Sequence, residues 1–394
     1  MMRTESAVII DAVRSPMGKG KPGGALSSMH AVELLAQVLQ GLMGRQDLDP
    51  ALVDDVLIGC VSQAADQAAT PGRWAWLAAG LPEHVPAVTI DRRCGSSQQA
   101  LHFAAQGVIA GEYDVVVAGG IESMSRVPMG SARMGVDPFG PAHDRYLPGL
   151  VSQGISAELV AAKWKLTREQ LDEYAARSHA RAAAVAAAGE FANEIVPITV
   201  GDGVVCADET IRPSTTVERL STLPPSFEQE AMSRRFPQIQ WHITAGNSSQ
   251  LADGASAVLV TSERRAEELG LRPRARFHAF ALACDDPITM LSAPIPATRK
   301  VLQRAGLRAS EIDHFEVNEA FASVPLAWQA ELDVDPNLLN PRGGAIAFGH
   351  PLGASGARLM ATMLGALEAT SGRYGLQTMC EGGGMANATI IERL

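Results

Sequence analysis

Runs of apolar residues and their spacing predict an alternation of strands and helices along most of the chain. Val8–Ala12 predicts a first strand, and apolar residues at helical spacing from Ala31 to Leu42 predict the helix that follows. Further strands are predicted around Val56–Cys60 and at Val115–Gly120. The last of these is apolar without alternation, as is typical of a sheet covered on both faces. This alternation predicts an α/β fold.

Residues 121 to about 249 show a different pattern, with more prolines and irregular stretches. A helix is predicted near Ser156–Trp164, and a longer one begins at Thr167. Thr167 and Gln170 have the spacing of a capping box, and Gly189 provides a C-terminal stop. We therefore interpret this segment as a unit separate from the sheet.

The core-like pattern resumes near Ala257 and continues to the end of the chain. The predicted elements are a strand from Ala257, a helix at 263–269, a strand at Ala275–Ala283, a helix at 297–305, a strand at Ile312–Val317, a helix from about Ala354 to Leu367, a strand ending at Cys380 and a final strand at Ala388–Glu392.

The loop at 343–356 reads G-G-A-I-A-F-G-H-P-L-G-A-S-G and contains a single histidine, His350. Its apolar run Ala345–Phe348 predicts a short buried strand, followed by a turn that presents His350. Gly353 and Gly356 allow another main chain to pass close by. A lone histidine in a loop is more often a polar surface residue than a catalyst, so this motif is weak evidence by itself.

The second part of the chain repeats the pattern of the first. A helix followed by the strand near Val56–Cys60 matches the helix at 297–305 followed by Ile312–Val317. Cys94 then falls where the His350 loop falls in the second copy. Two similar halves pack about a pseudo-twofold axis, which brings loops at equivalent strand ends together.

This repeat predicts how the chain is divided into domains. The double glycine that ends Val115–Gly120 is separated from the strand near Ala257 by a long segment, which is interpreted as an insertion. The predicted domains are a first half at 1–121 with 250–271, an inserted loop domain at 122–249 and a second half at 272–394.

Cys94 begins the motif C-G-S-S at a predicted helix start. Unsatisfied amides and the helix dipole favour a thiolate there, so we expect its pKa to lie below the ordinary value of about 8.5. A neighbouring imidazole would complete the activation of a nucleophile. The alternative is a buried structural cysteine, and the local sequence leaves both open.

Cys380 ends an apolar strand and is followed by E-G-G-G, while Asn318 begins N-E-A-F-A. Glycines at that point would let backbone amides approach an oxyanion, and the thiol could act as an acid or base. Asn318 could orient a water molecule. The alternatives are a core residue at a strand end for Cys380 and a helix cap for Asn318.

Composition narrows the classes of function. The 394-residue chain is 46% hydrophobic and carries a formal charge of −10, which argues against nucleic-acid partners and anionic membrane surfaces. Its five cysteines contain no C-x-x-C pair, which argues against a disulfide framework or zinc site and favours the reducing cytoplasm. No apolar run is long enough to predict membrane insertion, and the apolar run near the N-terminus is too short for a signal peptide.

Four separated motifs together resemble the signature of the thiolases. They are C-G-S-S at Cys94, N-E-A-F-A at Asn318, the glycine loop around His350, and C-E-G-G-G at Cys380. The resemblance covers essentially the whole chain in the family's order. It implies a five-layer αβαβα fold of two duplicated halves with an inserted loop domain, and cleavage of a 3-ketoacyl-CoA or the reverse Claisen condensation.

The resemblance also implies a role for each motif. Cys94 would attack the keto carbon with His350 as its base, and Cys380 would protonate the departing acetyl-CoA carbanion. One oxyanion hole would be formed by His350 and a water held by Asn318. The other would use the backbone amides of Cys94 and Gly382.

The family places coenzyme A on the inserted domain, as a substrate rather than as a tightly bound cofactor. Ser249 matches its pantetheine-contacting serine, and Arg212 matches an arginine near the adenosine phosphates; the alternative for Arg212 is a solvated surface charge. The resemblance further implies acyl-CoA and CoA as the small-molecule partners and a homodimer or homotetramer.

Three positions depart from the family's usual pattern. Asp91 stands where many thiolases have asparagine, and G-M-A-N follows Gly383 where a glycine often follows the methionine. Ser152-Gln153-Gly154 replaces the His-Met-Gly of biosynthetic enzymes, which favours a degradative thiolase. The alternatives are a biosynthetic acetoacetyl-CoA thiolase, a decarboxylating ketoacyl synthase and a non-catalytic acyl-CoA-binding relative. Enzymes of the ketoacyl synthase type do not use a second cysteine, so Cys380 argues against that alternative.

Overall fold

The computed structural model describes residues 5–394. The first part of the chain forms five strands and three helices before the inserted segment. These are β1 (Ala7–Arg14), β2 (Gly18–Lys19), α1 (Ala31–Gly44), β3 (Asp55–Gly59), α2 (Pro71–Ala78), β4 (Ala87–Ile90), α3 (Ser96–Ala110) and β5 (Val115–Ser123). The strands and helices predicted here are confirmed, with shifts of a few residues at their ends.

The inserted segment combines helices with long irregular stretches and a small two-stranded sheet. It contains α4 (Gln153–Lys163), α5 (Arg168–Ala187), β6 (Ile198–Val200), β7 (Gly203–Val205), α6 (Val217–Ser221) and α7 (Glu230–Arg235). The capping box of α5 is confirmed, because Thr167 Oγ1 accepts from Gln170 N at 3.2 Å and Gln170 Oε1 accepts from Thr167 N at 2.9 Å. Gly189 follows the helix with a φ of 73°, as expected of a stop.

The chain then returns to the sheet, first with β8 and α8 and then with the elements of the second half. The remaining elements are β8 (Ala252–Ser262), α8 (Glu263–Glu268), β9 (Ala275–Cys284), α9 (Pro294–Ala305), β10 (His314–Val317), α10 (Ser323–Leu332), α11 (Ala345–Phe348), α12 (Ser355–Thr370), β11 (Tyr374–Glu381) and β12 (Met385–Arg393).

The strands form two runs with the same order. The first run is β4-β3-β5-β8-β1 and the second is β10-β11-β12-β9, and the two meet where β1 pairs with β9 through Val8–Arg276 and Ile9–Ala275. In the first run the parallel strands β4, β3 and β5 are followed by the antiparallel β8 and β1. In the second the parallel strands β10 and β11 are followed by the antiparallel β12 and β9. Each strand of β3, β5, β8 and β1 therefore has a counterpart in β10, β11, β12 and β9.

The helices occupy three layers around these strands. Helices α1 and α2 cover the outer face of the first run, and α9 and α10 cover the outer face of the second. Helices α3 and α12 lie between the two runs, where Ala100, Leu101, Met360 and Leu364 share one apolar cluster. This arrangement is the five-layer αβαβα architecture expected from the resemblance.

The run Ala345–Phe348 is not a strand, and that prediction was wrong. It forms the single helical turn α11, in which Phe348 N donates to Gly344 O at 2.9 Å and Gly349 N donates to Ala345 O at 2.8 Å. Gly343 and Gly349 flank the turn with φ of 78° and 85°, conformations that break an extended chain. The run is apolar because it is buried, with Phe348 beneath the guanidinium groups of Arg14 and Arg358.

The close approach predicted for two glycines of the same loop is confirmed. A Cβ on Gly353 would lie 2.6 Å from Ile121 O, and a Cβ on Gly356 would lie 2.2 Å from Gln98 N. The loop before α12 therefore contacts the end of β5 and the start of α3 through main-chain atoms. Only glycine permits this contact, which holds the N-termini of the two central helices together.

Candidate active site

Cys94 lies in a tight turn between β4 and α3. Arg93 has a φ of 50°, and its amide donates to Asp91 Oδ1 at 2.7 Å. Ser96 Oγ accepts from Arg92 N at 2.9 Å and donates to Arg93 O at 2.6 Å, so the turn is closed on both sides. Asp91, one of the departures noted in the sequence, keeps an acceptor where asparagine would also supply one.

The Cys94 side chain is 4% exposed and packs against Met124, Leu352, Leu359 and Met379. Burial, followed by the negative charge of nearby carboxylates, raises the pKa of Cys94 to about 12. The expectation of a lowered pKa was therefore wrong for the protein without substrate. The helix begins two residues later, and the loss of hydration outweighs the favourable effect of its dipole.

The ring of His350 is fixed at both nitrogens. Nδ1 lies 2.6 Å from Ser355 Oγ, and that hydroxyl donates its own proton to Pro351 O at 2.8 Å. The hydroxyl therefore accepts from His350, which assigns the ring proton to Nδ1 and leaves a lone pair on Nε2. Burial, reinforced by the charge of Arg358, lowers the pKa of His350 to about 3, so the ring is neutral at physiological pH.

Asn318 faces this lone pair. Its Nδ2 lies 3.4 Å from His350 Nε2, and its backbone amide donates to Thr378 O at 3.1 Å, which ties the end of β10 to β11. Asn318 Oδ1 is buried and accepts no hydrogen bond from any other group in residues 5–394. It remains an acceptor for an O–H group in the site.

The next residue, Glu319, connects the motif to the inserted segment and to α11. Its buried carboxylate accepts from Ser178 Oγ at 2.7 Å, Tyr174 Oη at 3.0 Å, Asn340 Nδ2 at 3.0 Å and Ile346 N at 3.1 Å. Burial nevertheless raises its pKa. These contacts set the position of Asn318 relative to the His350 loop.

Cys380 is the penultimate residue of β11 and is 1% exposed. Its pKa is raised well above the ordinary value, first by burial and second by the charge that Cys94 would carry. The two thiols come from different halves of the chain and yet lie within electrostatic reach of one another.

A cavity of about 770 Å³ opens beside Cys94. Both halves and the inserted segment line it, with Cys94, Leu352 and Gly382 on one side and Met129, Phe139, Val151, Gly154, Phe227 and Phe321 among the others. His350, Asn318 and Cys380 are not among the lining residues of the described chain. Cys94 and Gly382 thus form the accessible part of the candidate site.

Gln153 borders the same cavity at the start of α4. Its Nε2 lies 3.5 Å from the position that a Cβ on Gly382 would occupy, and its amide opposes the rise in the pKa of Cys94. The departure at 152–154 therefore brings a polar amide next to both Cys94 and Gly382. In the sequence, the only signal that marked Gln153 was that residues 152–154 differ from the family's usual pattern.

Ser249 and Arg212 do not reach this cavity but meet at Gln250. Arg212 is exposed, and its Nη2 donates to Gln250 Oε1 at 2.7 Å. Gln250 Nε2 donates to Ile346 O at 3.0 Å, and Gln250 O accepts from His350 N at 2.8 Å. Ser249 is half-buried, and its amide donates to Ala320 O at 2.9 Å.

Gln250 and Ser355 are two residues that sequence reasoning missed. Gln250 joins the Arg212 segment to the histidine loop, and Ser355 sets the tautomer of His350. A serine shortly after a histidine at the start of a helix is a weak signal. No sequence signal marked Gln250, because its partners are distant from it in the sequence.

Two further features of the described chain concern metal binding and membrane crossing. Within residues 5–394, no group of three or more histidine, cysteine or acidic side chains is placed to hold a metal ion. None of the helices in that range is both long enough and apolar enough to cross a bilayer.

Comparison with known proteins gives the same family over both halves. A family model described as the N-terminal domain of thiolase matches residues 7–264, and one described as the C-terminal domain matches residues 271–393.

Individual relatives are similar over their full lengths. The chain is 49% identical to the steroid 3-ketoacyl-CoA thiolase FadA6 of Mycobacterium tuberculosis, over 98% of this chain and 94% of that protein. It is 45% identical to a 3-ketoacyl-CoA thiolase of Salmonella typhimurium, over 99% and 100%. The crystal structure of the acetyl-CoA acetyltransferase of Bacillus anthracis superposes with a TM-score of 0.88 at 35% identity, covering 99% of each chain.

Proposed function

Because this chain belongs to the thiolase family, we propose that it catalyses the CoA-dependent cleavage of a 3-ketoacyl-CoA in a degradative pathway. The products are acetyl-CoA and an acyl-CoA shortened by two carbons. The arrangement around His350 carries the proposal, because Nδ1 donates to Ser355 and Nε2 keeps the lone pair that a base requires.

In the first step the Cys94 thiol gives its proton to His350 Nε2 as the sulfur attacks the keto carbon. Since the pKa of Cys94 is raised to about 12, the resting thiol is protonated, and the base must act during the attack. Cleavage of the carbon–carbon bond then leaves an acyl group on Cys94 and a carbanion on the departing acetyl-CoA.

In the second step Cys380 donates its proton to that carbanion. Burial keeps Cys380 protonated until an acceptor is formed next to it, which suits a general acid. CoA then enters and gives its thiol proton to the Cys380 thiolate as its sulfur attacks the acyl-enzyme. The Cys94 sulfur leaves and recovers its proton from His350, and the shortened acyl-CoA is released. In the condensing direction Cys380 would remove the proton that it gives to the carbanion here.

Two oxyanion sites support these steps. His350 and a water held by Asn318 Oδ1 stabilise the enolate oxygen of the acetyl-CoA carbanion, and the unpartnered state of Oδ1 supports this role. The amides of Cys94 and Gly382, which border the same cavity, receive the tetrahedral oxyanion on the acyl group. Each such donor contributes about 10²–10³ in rate.

The CoA substrate lies along the inserted domain, with its pantetheine near Ser249 and its phosphates near Arg212. The link from Arg212 through Gln250 to the amide of His350 supports this path towards the catalytic loop. The division into a first half at 1–121 with 250–271, a loop domain at 122–249 and a second half at 272–394 is part of the same proposal, as is the absence of a tightly bound cofactor.

The acyl chain occupies the cavity beside Cys94. Its volume of about 770 Å³ and its lining by Phe139, Phe227 and Phe321 suit a medium to bulky apolar acyl group better than an acetoacetyl group alone. The names of the relatives at 45–49% identity agree with a degradative role.

The protein acts as a cytoplasmic homodimer or homotetramer. All five cysteines are free thiols, which fits a reducing compartment. The exposed edge of the sheet at β4 belongs to the first half, through which thiolases form dimers.

The direct test is to mix the purified protein with CoA and 3-ketoacyl-CoA substrates of increasing chain length, and to follow the loss of enolate absorbance. We expect turnover with a kcat/KM that rises from acetoacetyl-CoA to longer or branched chains. Turnover of acetoacetyl-CoA alone would indicate a biosynthetic enzyme. Binding of CoA without turnover of any member would refute the enzymatic proposal.

A further inference from the structure

Glu381 is a buried carboxyl group next to both candidate thiols that the proposed steps do not use. It is the last residue of β11, directly after Cys380, and is fully buried. Neither of its carboxyl oxygens hydrogen-bonds to any other group in residues 5–394. A buried carboxylate is ordinarily paired or hydrogen-bonded, so this residue requires an explanation.

The carboxyl group rests on the turn that carries Cys94. A Cβ on Gly95 would lie 2.0 Å from Glu381 Oε1 and 2.8 Å from Asn387 Nδ2. Asn387 Nδ2 also donates to Gly95 O at 3.1 Å, so β12 holds the turn against the end of β11. The carboxyl group of Glu381 therefore occupies the space that a side chain at position 95 would need.

The charged and titratable groups around Glu381 come from two elements. The turn before α3 contributes Asp91, Arg92 and Cys94, and β11 contributes Cys380. Arg92 favours the ionised carboxylate and Asp91 disfavours it, but burial has the largest effect, and the pKa of Glu381 is raised to about 8. No hydrogen-bonded ion pair joins Arg92 to Glu381 in the described chain, and Arg92 Nε is itself without a partner.

We propose that Glu381, whose unpaired buried carboxyl group packs against Gly95 and directly follows Cys380, is a positioning residue that sets how readily Cys94 and Cys380 ionise. This rests on the proposed roles of the two cysteines. When Glu381 ionises, its proton passes to solvent and a negative charge remains next to Cys380 and the turn that carries Cys94. The site is then active while Glu381 is protonated and is restrained once it is not.

The sign of the effect follows from like charges. A carboxylate beside a thiol raises the pKa of that thiol, and Glu381 acts on both Cys94 and Cys380 in this direction. A shift of about one pKa unit changes the thiolate fraction tenfold. Below about pH 8 the charge is largely absent, so the effect is confined to more alkaline solutions.

The test is the rate of alkylation of Cys94 by iodoacetamide between pH 6 and pH 10, with the modified residue identified by mass spectrometry. We expect Glu381→Gln to react at the wild-type rate below pH 7 and about tenfold faster above pH 9. Glu112→Gln removes an exposed carboxylate beyond the far end of α3 and should match the wild type throughout. This readout does not depend on turnover, so it separates failure here from failure of the proposed activity.

A second variant covers the case in which Glu381→Gln does not fold. Asp91→Asn removes the charge that disfavours ionisation of Glu381 and keeps an acceptor for Arg93 N. The alkaline restraint should then begin at a lower pH than in the wild type. The proposal would be overturned if Glu381→Gln and the wild type were alkylated at equal rates at every pH, or at rates whose ratio stayed constant from pH 6 to pH 10. It would also be overturned if the pH at which alkylation becomes restrained were the same in Asp91→Asn as in the wild type.

Discussion

Burial decides the protonation state of each reactive side chain in the candidate site. Cys94, Cys380 and His350 are all 5% exposed or less, and in each case burial is the largest cause of the pKa shift. The two thiols and the imidazole therefore start neutral. In the proposed mechanism, proton transfer takes place during the chemical steps, which avoids a standing charge in an apolar environment.

Replacing Cys380 by serine should separate its role from that of Cys94. A serine hydroxyl is a much weaker acid than a thiol, so Cys380→Ser should lower kcat for ketoacyl-CoA cleavage by about 10²–10⁴. Transfer of a labelled acetyl group from acetyl-CoA to Cys94 releases a CoA thiolate, which is far less basic than a carbanion and can leave without an acid, so this labelling should remain detectable by mass spectrometry. Loss of this labelling in a folded Cys380→Ser protein would contradict the division of roles.

At the level of elements, the site depends on main-chain contact between the glycine loop and the first half. A methyl group on Gly353 would lie 2.6 Å from Ile121 O and 2.7 Å from both Cys60 Cα and Gly59 O, and none of these backbone atoms can move freely. Glu122 reinforces the contact, because its carboxylate accepts from Gly353 N at 2.9 Å and from Ser62 N at 3.0 Å.

Gly353→Ala should therefore lower the free energy of unfolding by about 2–3 kcal/mol and displace His350 enough to reduce activity strongly. Gly44→Ala is the control, since it lies at the end of α1 with no atom within 4 Å of the added methyl group. That change should stabilise slightly or have no effect. Urea denaturation measures both, and equal stability of the two variants would contradict the close contact.

A buried histidine on the central helix α3 should make the folded protein less stable in acid. His102 on α3 lies 2.7 Å from Thr389 Oγ1 of β12, and burial lowers its pKa to about 3. The unfolded histidine titrates near 6.5, so the unfolded chain binds more protons between these values and stability falls as the pH decreases from about 6.5 towards 3. The loss should amount to about 3 kcal/mol for this residue at pH 4.

His102→Gln keeps a polar partner for Thr389 but cannot titrate, so its stability should depend less on pH over that range. His84→Gln, a change at an exposed histidine, should keep the wild-type dependence. Thermal melting between pH 4 and pH 8 compares the three proteins. If all three curves have the same slope, His102 is not the source of the acid sensitivity.

At the scale of the whole molecule, one end of the sheet is the short strand β4. Val88 on this strand is 42% exposed, and β4 has only β3 as a neighbour in the described chain. An apolar edge strand in the first half is a natural surface for a second copy.

We expect the protein to be a dimer or larger at micromolar concentration, and Val88→Arg to shift it towards monomer. Val204→Arg places the same charge on an exposed valine of β7, 63% exposed, and should leave the assembly unchanged. Light scattering after size-exclusion chromatography measures the mass. A wild-type monomer at every concentration, or equal effects of the two changes, would exclude assembly through β4.

Much of the fold and site could be predicted from the sequence, because the signals were local. Apolar periodicity predicts the strands and helices, and the repeat predicts the matched strand orders of the two halves. The glycines at 353 and 356 indicate close approach of another chain, since few other roles require that residue. The cysteines and the histidine stand out because each lies in its own glycine-rich motif.

Only the tertiary structure decided the features that depend on distant residues. Whether Ala345–Phe348 is a strand or a helical turn depends on the backbone conformation of the flanking glycines and on the guanidinium groups above Phe348. The sign of the pKa shift of Cys94 depends on how far the folded chain excludes water from the thiol. The contact of Glu381 with Gly95 joins the second half of the chain to the first, and no local pattern reports it.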